Sequence, residues 1–187
     1  VISNFNVCGN CHSLSRDGRK LAMDVDYKGD KGGYIIADIG KEMEFRVEDL
    51  ISWDDYRRGE DRLSSGFLSQ ISPDGRHVVS TVKDGAILIT LNSLDYSLLF
   101  YPAKGILAVY DVEEKRFFPL PGGDDPEYVQ TNPSWSPDGS RIAFARAPRK
   151  VSVYARILKI LGKRLFRYDL YMIPFNEGKG GKAEPVP

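Results

Sequence analysis

The sequence predicts an all-β fold made of repeated units of four antiparallel strands, and two observations carry this prediction. The first is a Ser-x-Asp-Gly turn that occurs three times, at residues 15–18, 72–75 and 136–139. The second is the alternation of apolar and polar residues after each turn, which is typical of a half-buried strand. Glycine tolerates the positive φ that a tight turn requires, and two of the copies have a proline that fixes φ ahead of it.

Each turn is expected to follow one short apolar strand and to precede three more. The second strands are predicted at 20–25, 76–82 and 141–146, and the third strands at 34–39, 106–112 and 168–173. The fourth strand is clearest at 114–120, and 182–187 has the pattern of a last strand. Four antiparallel strands per unit are typical of a β-propeller blade. A β-sandwich that uses the same turns is the alternative.

The spacing of the turns predicts insertions and an incomplete ring. Gly18, Gly75 and Gly139 are about 60 residues apart, whereas one blade takes about 40–50 residues. We therefore expect insertions near 47–66, 92–104 and 148–167 within a single domain that spans 1–187. Three blades cannot close a propeller, which has about four to eight. We expect that the chain is part of a larger propeller or that the missing blades come from elsewhere.

The composition excludes some classes of partner. Lys plus Arg and Asp plus Glu both number 26, so no net charge draws the whole chain to nucleic acid. No apolar run approaches the ~20 residues of a transmembrane helix, so we expect no transmembrane segment. The sequence also lacks a nucleophile–base motif and a phosphate-binding glycine loop. A binding or electron-transfer protein is therefore expected rather than an enzyme.

A C-G-N-C-H motif at residues 8–12 has the spacing of c-type haem attachment. Cys8 and Cys11 would bind the two vinyl groups as thioethers, and His12 would be the proximal iron ligand. A site for another metal would need a fourth ligand, for which His77 is the remaining histidine. A disulfide or two free thiols would also be compatible with this spacing, whereas a thioredoxin-like pair would need a βαβ context.

The second axial ligand of such an iron stays open. Met23 lies in the next strand and could be the distal ligand, but a methionine in a strand is more often a core residue. His77 is a weaker candidate, and a histidine from a partner protein is another. Asp24, Asp26 and Asp30 carry the oxygen ligands that Ca²⁺ prefers, but a solvated loop is the favoured interpretation of this acidic cluster.

The chain resembles the TolB-like family of propellers. Residues 133–144 match the TolB-type, WD-like repeat P-x-W-S-P-D-G-x-x-I-A-F. The stretches 11–18, 23–26, 31–34, 124–132 and 167–171 resemble a bacterial subgroup in which a C-x-x-C-H motif is fused to the first strand of a blade. The resemblance implies one covalent haem c at Cys8, Cys11 and His12. It also implies other cytochromes or multihaem proteins as partners, but no reaction.

The third insertion is predicted to be a basic amphipathic helix within 149–167. No acidic residue occurs between Asp138 and Asp169, and apolar residues recur there at helical spacing. This helix would either pack on the edge of the blade or dock an acidic partner, haem propionates or anionic lipid.

Together these features predict a haem-bearing propeller that acts in electron transfer with partner cytochromes. Covalent haem is attached outside the cytoplasm, so we expect a periplasmic or extracellular location. When the three repeats are aligned, His12 holds the position that Ser69 and Pro133 hold in the other two. We expect this position to be the start of an innermost strand, near the mouth of the central channel. The alternative function is an interaction scaffold of a cytochrome assembly in which Cys8 and Cys11 are structural or bind another metal.

Overall fold

A computed structural model of the chain describes residues 9–27, 30–43, 45–57, 65–90, 98–149 and 167–187. These residues form twelve β-strands and three short 3-10 helices, so the all-β prediction is confirmed. No helix within these ranges is long and apolar enough to cross a membrane. Residues 150–166 of the basic helix predicted within 149–167 lie outside the described ranges, as do residues 1–8 with Cys8.

The first unit is a four-stranded antiparallel sheet. Its strands are β1 (Gly9–Leu14), β2 (Lys20–Tyr27), β3 (Asp30–Asp38) and β4 (Leu50–Ile51), and each pairs with the next. Short 3-10 helices at Val47–Asp49 and Trp53–Arg57 flank β4. The stretch 47–66, which was predicted to be an insertion, therefore contains the fourth strand of this unit.

The second unit repeats this topology with a longer central hairpin. It consists of β5 (Phe67–Ile71), β6 (His77–Thr90), β7 (Leu98–Asp111) and β8 (Arg116–Pro119). The ladder between β6 and β7 continues to the pair Thr90↔Leu98. Much of the predicted insertion at 92–104 is therefore the beginning of β7.

The third unit is joined to the second. It consists of β9 (Tyr128–Trp135), β10 (Arg141–Pro148), β11 (Asp169–Pro174) and β12 (Glu184–Pro185). One parallel pair, Gly105↔Val129, connects β7 to β9, at a glycine where another backbone can approach closely. The described strands thus form one four-stranded and one eight-stranded sheet, which corrects the expectation of three separate four-stranded sheets.

The three predicted turns share one set of hydrogen bonds. In the third, the Ser136 hydroxyl donates to Asp138 Oδ1 over 2.6 Å, and the Arg141 N–H donates back to Ser136 Oγ over 3.0 Å. The Gly139 N–H donates to the Ser136 carbonyl over 2.9 Å, and Gly139 has a φ of 73°. The same bonds form in the other two turns around Ser15, Asp17 and Gly18 and around Ser72, Asp74 and Gly75.

Each unit has two faces, because successive side chains of a strand point to opposite sides. We call them the leading and the trailing face. The leading faces carry Met23 and Ile35 in the first unit, Ser80 and Ala108 in the second, and Phe144 and Tyr171 in the third. The trailing faces carry Ala22 and Tyr34 in the first unit, Val79 and Leu107 in the second, and Ala143 and Leu170 in the third.

The trailing face of one unit packs on the leading face of the next. Tyr34 and Trp53 of the first unit are buried against Val78 and Ala108 of the second. Val79 and Leu107 on the opposite side of the second unit are buried against Ile142 and Phe144 of the third. The first strands also lie next to one another, with β5 in contact with both β1 and β9. The same interface is therefore built twice.

Acid should weaken the fold through the turn aspartates. Hydrogen bonds from the Ser136 hydroxyl and the Ser140 N–H lower the pKa of Asp138 from 3.8 to about 2. Because the pKa is lower in the folded chain, this stabilisation is present above about pH 4 and is lost as the pH falls toward about 2. Between about pH 6 and about pH 3, the free energy of unfolding measured in urea should therefore fall less for Asp138→Asn than for the wild type. Glu184→Gln, an exposed acid outside the turns, is the control, and equal pH dependence of both variants would contradict the prediction.

Candidate functional site

Cys11 and His12 lie at a β-bulge in β1, the edge strand of the first sheet. The register runs from Asn10↔Asp24 directly to His12↔Met23, so Cys11 is the extra residue of the bulge. Consecutive side chains of a regular strand point to opposite faces, but a bulge changes the direction of a side chain. Both Cys11 and His12 are exposed. The bulge thus allows two consecutive side chains of β1 to serve one site.

The bulge is part of the repeat and is not particular to this site. Aligned on the turns, Cys11 corresponds to Leu68 and Asn132, and a register shift occurs there in β5 and β9 as well. Leu68 and Asn132 have positive φ values of 57° and 54°. The first unit therefore carries the motif at a backbone irregularity that all three units share, and His12 occupies the position of Ser69 and Pro133.

A hydrogen bond behind β1 connects it to the rest of the fold. The Ser13 and Tyr34 hydroxyl groups lie 2.6 Å apart, and the Ile71 N–H of the second unit donates to Ser13 Oγ over 3.3 Å. Burial, and to a smaller extent the charge of Asp24, raises the pKa of Tyr34, which is fully buried. The strand that presents Cys11 and His12 is thus bonded to both β3 and β5.

Asp24 belongs to a buried polar cluster between the first and second units. It is hydrogen-bonded to Ser69, whose hydroxyl accepts the Trp53 indole N–H over 3.2 Å and donates to Ser80 Oγ over 2.9 Å. Asp24 Oδ1 is buried and has no hydrogen-bond partner. Burial raises the pKa of Asp24 from 3.8 to about 7, although the hydrogen bonds to Ser69 act in the opposite direction.

Met23 lies directly across from His12 on the leading face of the first unit. It is buried in a cluster with Val25 and Ile35, against which Phe45 and Leu50 pack. Directly paired residues of antiparallel strands have Cα atoms only about 4.5–5.5 Å apart, and their side chains leave the sheet side by side. Such side chains approach an iron from one side rather than from opposite faces of a ring. This placement favours the core role of Met23.

His77 belongs to the second unit, whereas the bulge with Cys11 and His12 belongs to the first. It begins β6, next to the second turn, and pairs with Asp111. Its side chain is buried, with Nε2 3.6 Å from Asp111 Oδ2 and the ring edge-on to Phe175. These contacts give His77 a structural role at the interface of the second and third units.

The acidic cluster is not a solvated loop at Asp24. Asp24 lies within β2 and faces the second unit, whereas Asp26 follows on the same strand and Asp30 begins β3. Within the described part of the chain, no three side chains of His, Cys, Asp or Glu lie close enough to hold a metal ion. The interpretation of the cluster as a solvated loop was therefore wrong for Asp24, which lies in the strand that was predicted at 20–25 and is covered by the second unit.

The flanks of the predicted basic helix are described although its body is not. The Arg149 N–H donates to the Glu127 carbonyl over 2.9 Å, and the exposed Arg167 lies 3.8 Å from Asp169. Arg149 follows β10 and Arg167 precedes β11, so both lie at the end of the third unit that is opposite its turn.

Comparisons with known proteins concern the fold. No family model and no curated protein matches the chain, so the resemblance to TolB-like propellers gains no support there. Among solved structures, the chain is similar to a chain of Kuenenia stuttgartiensis hydrazine synthase. The match has a TM-score of 0.51 and 17% sequence identity, and it covers 94% of the present chain. It shares its fold with part of that enzyme. The match spans 41% of the hydrazine synthase chain.

Sequence reasoning found Cys11 and His12 but missed what supports them. The shared bulge depends on the pairing of β1 with β2 and has no signature in the motif itself. The buried cluster could have been found, because Asp24 follows Ala22 at a spacing of two and so belongs to the face that carries Ala22. Ser13 and Tyr34 had no such signal, since their contact joins residues of different strands.

Replacing the buried acid should stabilise the fold at neutral pH. An acid with a higher pKa in the folded chain costs stability as the pH rises from about 4 to about 7, because the buried group must ionise. Asp24→Asn should remove this loss. Its free energy of unfolding should match that of the wild type near pH 4 and exceed it by on the order of a few kcal/mol above about pH 7. Urea unfolding across this range measures the effect. Asp26→Asn is the control from the same strand, and parallel curves for Asp24→Asn and wild type would refute the prediction.

Proposed function

We propose that the chain is part of a β-propeller that carries one covalent haem c at Cys8, Cys11 and His12 and transfers electrons to or from partner cytochromes. One observation carries the proposal. Cys11 and His12 are consecutive exposed side chains at the bulge of an edge strand, in a sequence with the haem-attachment spacing. The equivalent Ser69 is buried between two units, so the first unit differs from the second at this position.

The residues present fit a haem group. A flat ring needs an open approach, and β1 has no strand on its outer side among the described residues. His12 would supply an imidazole to the iron, and Cys8 and Cys11 would hold the ring by thioether bonds. The group would supply one-electron chemistry. The chain would contribute orientation, because the bonds of Ser13 to Tyr34 and Ile71 hold the strand from behind.

The arrangement of the units supports the propeller part of the proposal. Three antiparallel units follow one another in chain order. The first strands of neighbouring units lie next to each other. Both interfaces join the trailing face of one unit to the leading face of the next. Blades of a propeller are four-stranded sheets arranged around an axis. The TolB-like resemblance of residues 133–144 points in the same direction.

Location and partners follow from the same proposal. Haem that is bound covalently is attached outside the cytoplasm, which makes the protein periplasmic or extracellular. Partner cytochromes would approach the exposed side of Cys11 and His12, and the basic segment 149–167 would dock acidic groups at the corresponding end of the third unit.

The first test is covalent haem. Expressed in a bacterial periplasm with haem-attachment enzymes, the wild type should gain the mass of one haem and display c-type absorption bands when reduced. Cys8→Ala with Cys11→Ala should lose both, whereas His12→Ala should keep the covalent mass and change the spectrum, because only the iron ligand is removed. His77→Gln is the matched histidine control and should leave the spectrum unchanged.

A wild-type chain that folds without haem would overturn the proposal and favour the scaffold alternative. That alternative has its own support, because Leu14 and Ile39 are large apolar side chains that remain exposed on the first unit. Large exposed apolar side chains that lie together mark interaction surfaces.

Met23→Leu separates the ligand role from the core role. Leucine fills a similar volume, so the substitution should cost less than about 1.5 kcal/mol. If Met23 is a core residue, the absorption spectrum and the reduction potential should stay unchanged. A lower potential together with an altered spectrum would identify Met23 as the distal ligand, because a methionine ligand raises the potential.

A further inference from the structure

A cavity of about 360 Å³ lies between the second and third units, at the end that carries their turns. Its walls come from the second turn, the third turn and the segment that follows β11. The volume falls in the range of small-molecule sites, which is about 300–1,000 Å³. The lining combines three rings with three carboxylates, which belong to His77, Trp135, Phe175, Asp74, Asp138 and Glu177.

The aromatic wall of this cavity is fixed by its own contacts. Phe175 is edge-on to both Trp135 and His77, with ring centroids 4.8 Å apart in each pair. The Trp135 indole N–H donates to the Gln70 carbonyl over 3.1 Å, which binds the ring to the second unit. Phe175 is buried, whereas Trp135 is only half-buried. The rings are therefore in place before a ligand arrives.

The first interface has different side chains at the equivalent positions. There the Lys20 chain lies across the second turn, so that a Cβ on Gly75 would be only 2.9 Å from Lys20 Cδ. The Lys20 ammonium binds Asp38 over 3.0 Å. The first interface thus supplies its own cation beside a turn, whereas the second has an imidazole there and aromatic in place of aliphatic side chains. The equivalent pairs are Lys20 and His77, Ile71 and Trp135, and Val112 and Phe175.

Carboxylates outnumber basic groups around the cavity. Asp74, Asp138 and Glu177 are exposed and form its solvent side. Among the described residues, Arg16 of the first turn is the one lysine or arginine side chain in the lining, and it donates to the Pro137 carbonyl over 3.4 Å. The lining therefore has an excess of negative charge, which favours a cation.

His77 adds a hydrogen-bond acceptor to the same lining. The residue is 5% exposed, and its Nδ1 has no hydrogen-bond partner among the described residues. Because Nε2 faces Asp111 Oδ2 at 3.6 Å, Nε2 carries the hydrogen of the neutral ring and Nδ1 is the acceptor. A buried acceptor without a partner costs stability. An N–H group of a ligand would remove that cost.

We propose that this cavity binds an organic cation, with an ammonium or guanidinium group on a short aliphatic body. The cation would lie against Trp135 and Phe175, because cations are attracted to aromatic faces and most strongly to tryptophan. The carboxylates would pair with its charge. Free amines and the lysine or arginine side chains of a partner protein share this chemistry. The site uses neither the cysteines nor His12, so it does not rest on the proposed function.

Titration of the isotope-labelled chain with n-butylammonium tests the site through the indole N–H signals in NMR spectra. The chain has two tryptophans, and the indole N–H of Trp53 is bound to Ser69 in the other interface. The Trp135 signal should shift until it saturates, while the Trp53 signal stays. n-Butanol has a similar shape without the charge and should bind about tenfold more weakly. No saturable shift, or equal affinity for the alcohol, would overturn the cation site.

Two substitutions test the ring and the carboxylate separately. Phe175→Leu removes a ring where the other units have the aliphatic Ile39 and Val112, and Glu177→Gln removes one charge at similar size. Each should weaken n-butylammonium binding by about threefold or more, whereas Glu184→Gln, an exposed acid outside the cavity, should bind like the wild type. Because Glu177 is exposed, its variant keeps the test valid even if Phe175→Leu does not fold. Wild-type affinity in the folded site variants would contradict the proposal.

A peptide identifies the source of the cation. Acetyl-Gly-Lys-Gly-amide carries the ammonium on a peptide backbone, and the same peptide with norleucine lacks the charge. Tighter binding of the lysine peptide than of n-butylammonium would support a partner protein as the source, and tighter binding of the free amine would support a small molecule. Equal binding of the two peptides would count against recognition of the charge. None of these titrations measures haem, so this site and the proposed function can fail independently.

Discussion

The hydrogen bonds between serine, aspartate and backbone in each turn fix the register of the first hairpin of every unit. In all three copies the serine hydroxyl donates to the aspartate and accepts the N–H of the residue that opens the next strand. A shift of one residue would move every side chain of the hairpin to the other face. The division into leading and trailing faces, and with it both internal interfaces, depends on these turns.

The same register determines where the candidate site lies. Because each first strand pairs with its second strand from a fixed turn, the bulge falls at the same distance from each turn. The second unit fills the residue after the bulge with Ser69, which fits between two packed units. The first unit has His12 there. The first unit therefore exposes the candidate pair Cys11 and His12 on a backbone irregularity at which the second unit has a buried serine, and sites are commonly added to a fold in this way.

The sequence predicted those features that depend on local residues. The turns and the strands after them, such as Arg141–Pro148, were found because the turn chemistry and the period of two are local. The strand Leu50–Ile51 was missed, since two residues carry no period and it forms by pairing with Tyr34 and Ile35. The bulge at Cys11 was missed for a related reason, because it exists only relative to β2.

The interfaces between units were beyond the sequence for a different reason. Alternation indicates that a strand has two faces, but not what covers each. Asp24 was grouped with Asp26 and Asp30 in a solvated acidic cluster, because the sequence does not say which face of its strand is covered. Only the second unit, which brings Ser69 over it, makes it a buried group.

The two sides of the first unit therefore have different tasks. On the trailing side, Ser13 and Asp24 are hydrogen-bonded to the second unit, and Tyr34 is hydrogen-bonded to Ser13. On the leading side, His12 and Leu14 are exposed. A hydrogen-bonded anchor is directional, so it restrains the position of β1 more specifically than apolar contact would. Because the anchor lies behind the strand, a group or a partner can reach His12 without breaking it, and a site needs this kind of rigid support to hold its first ligands in place.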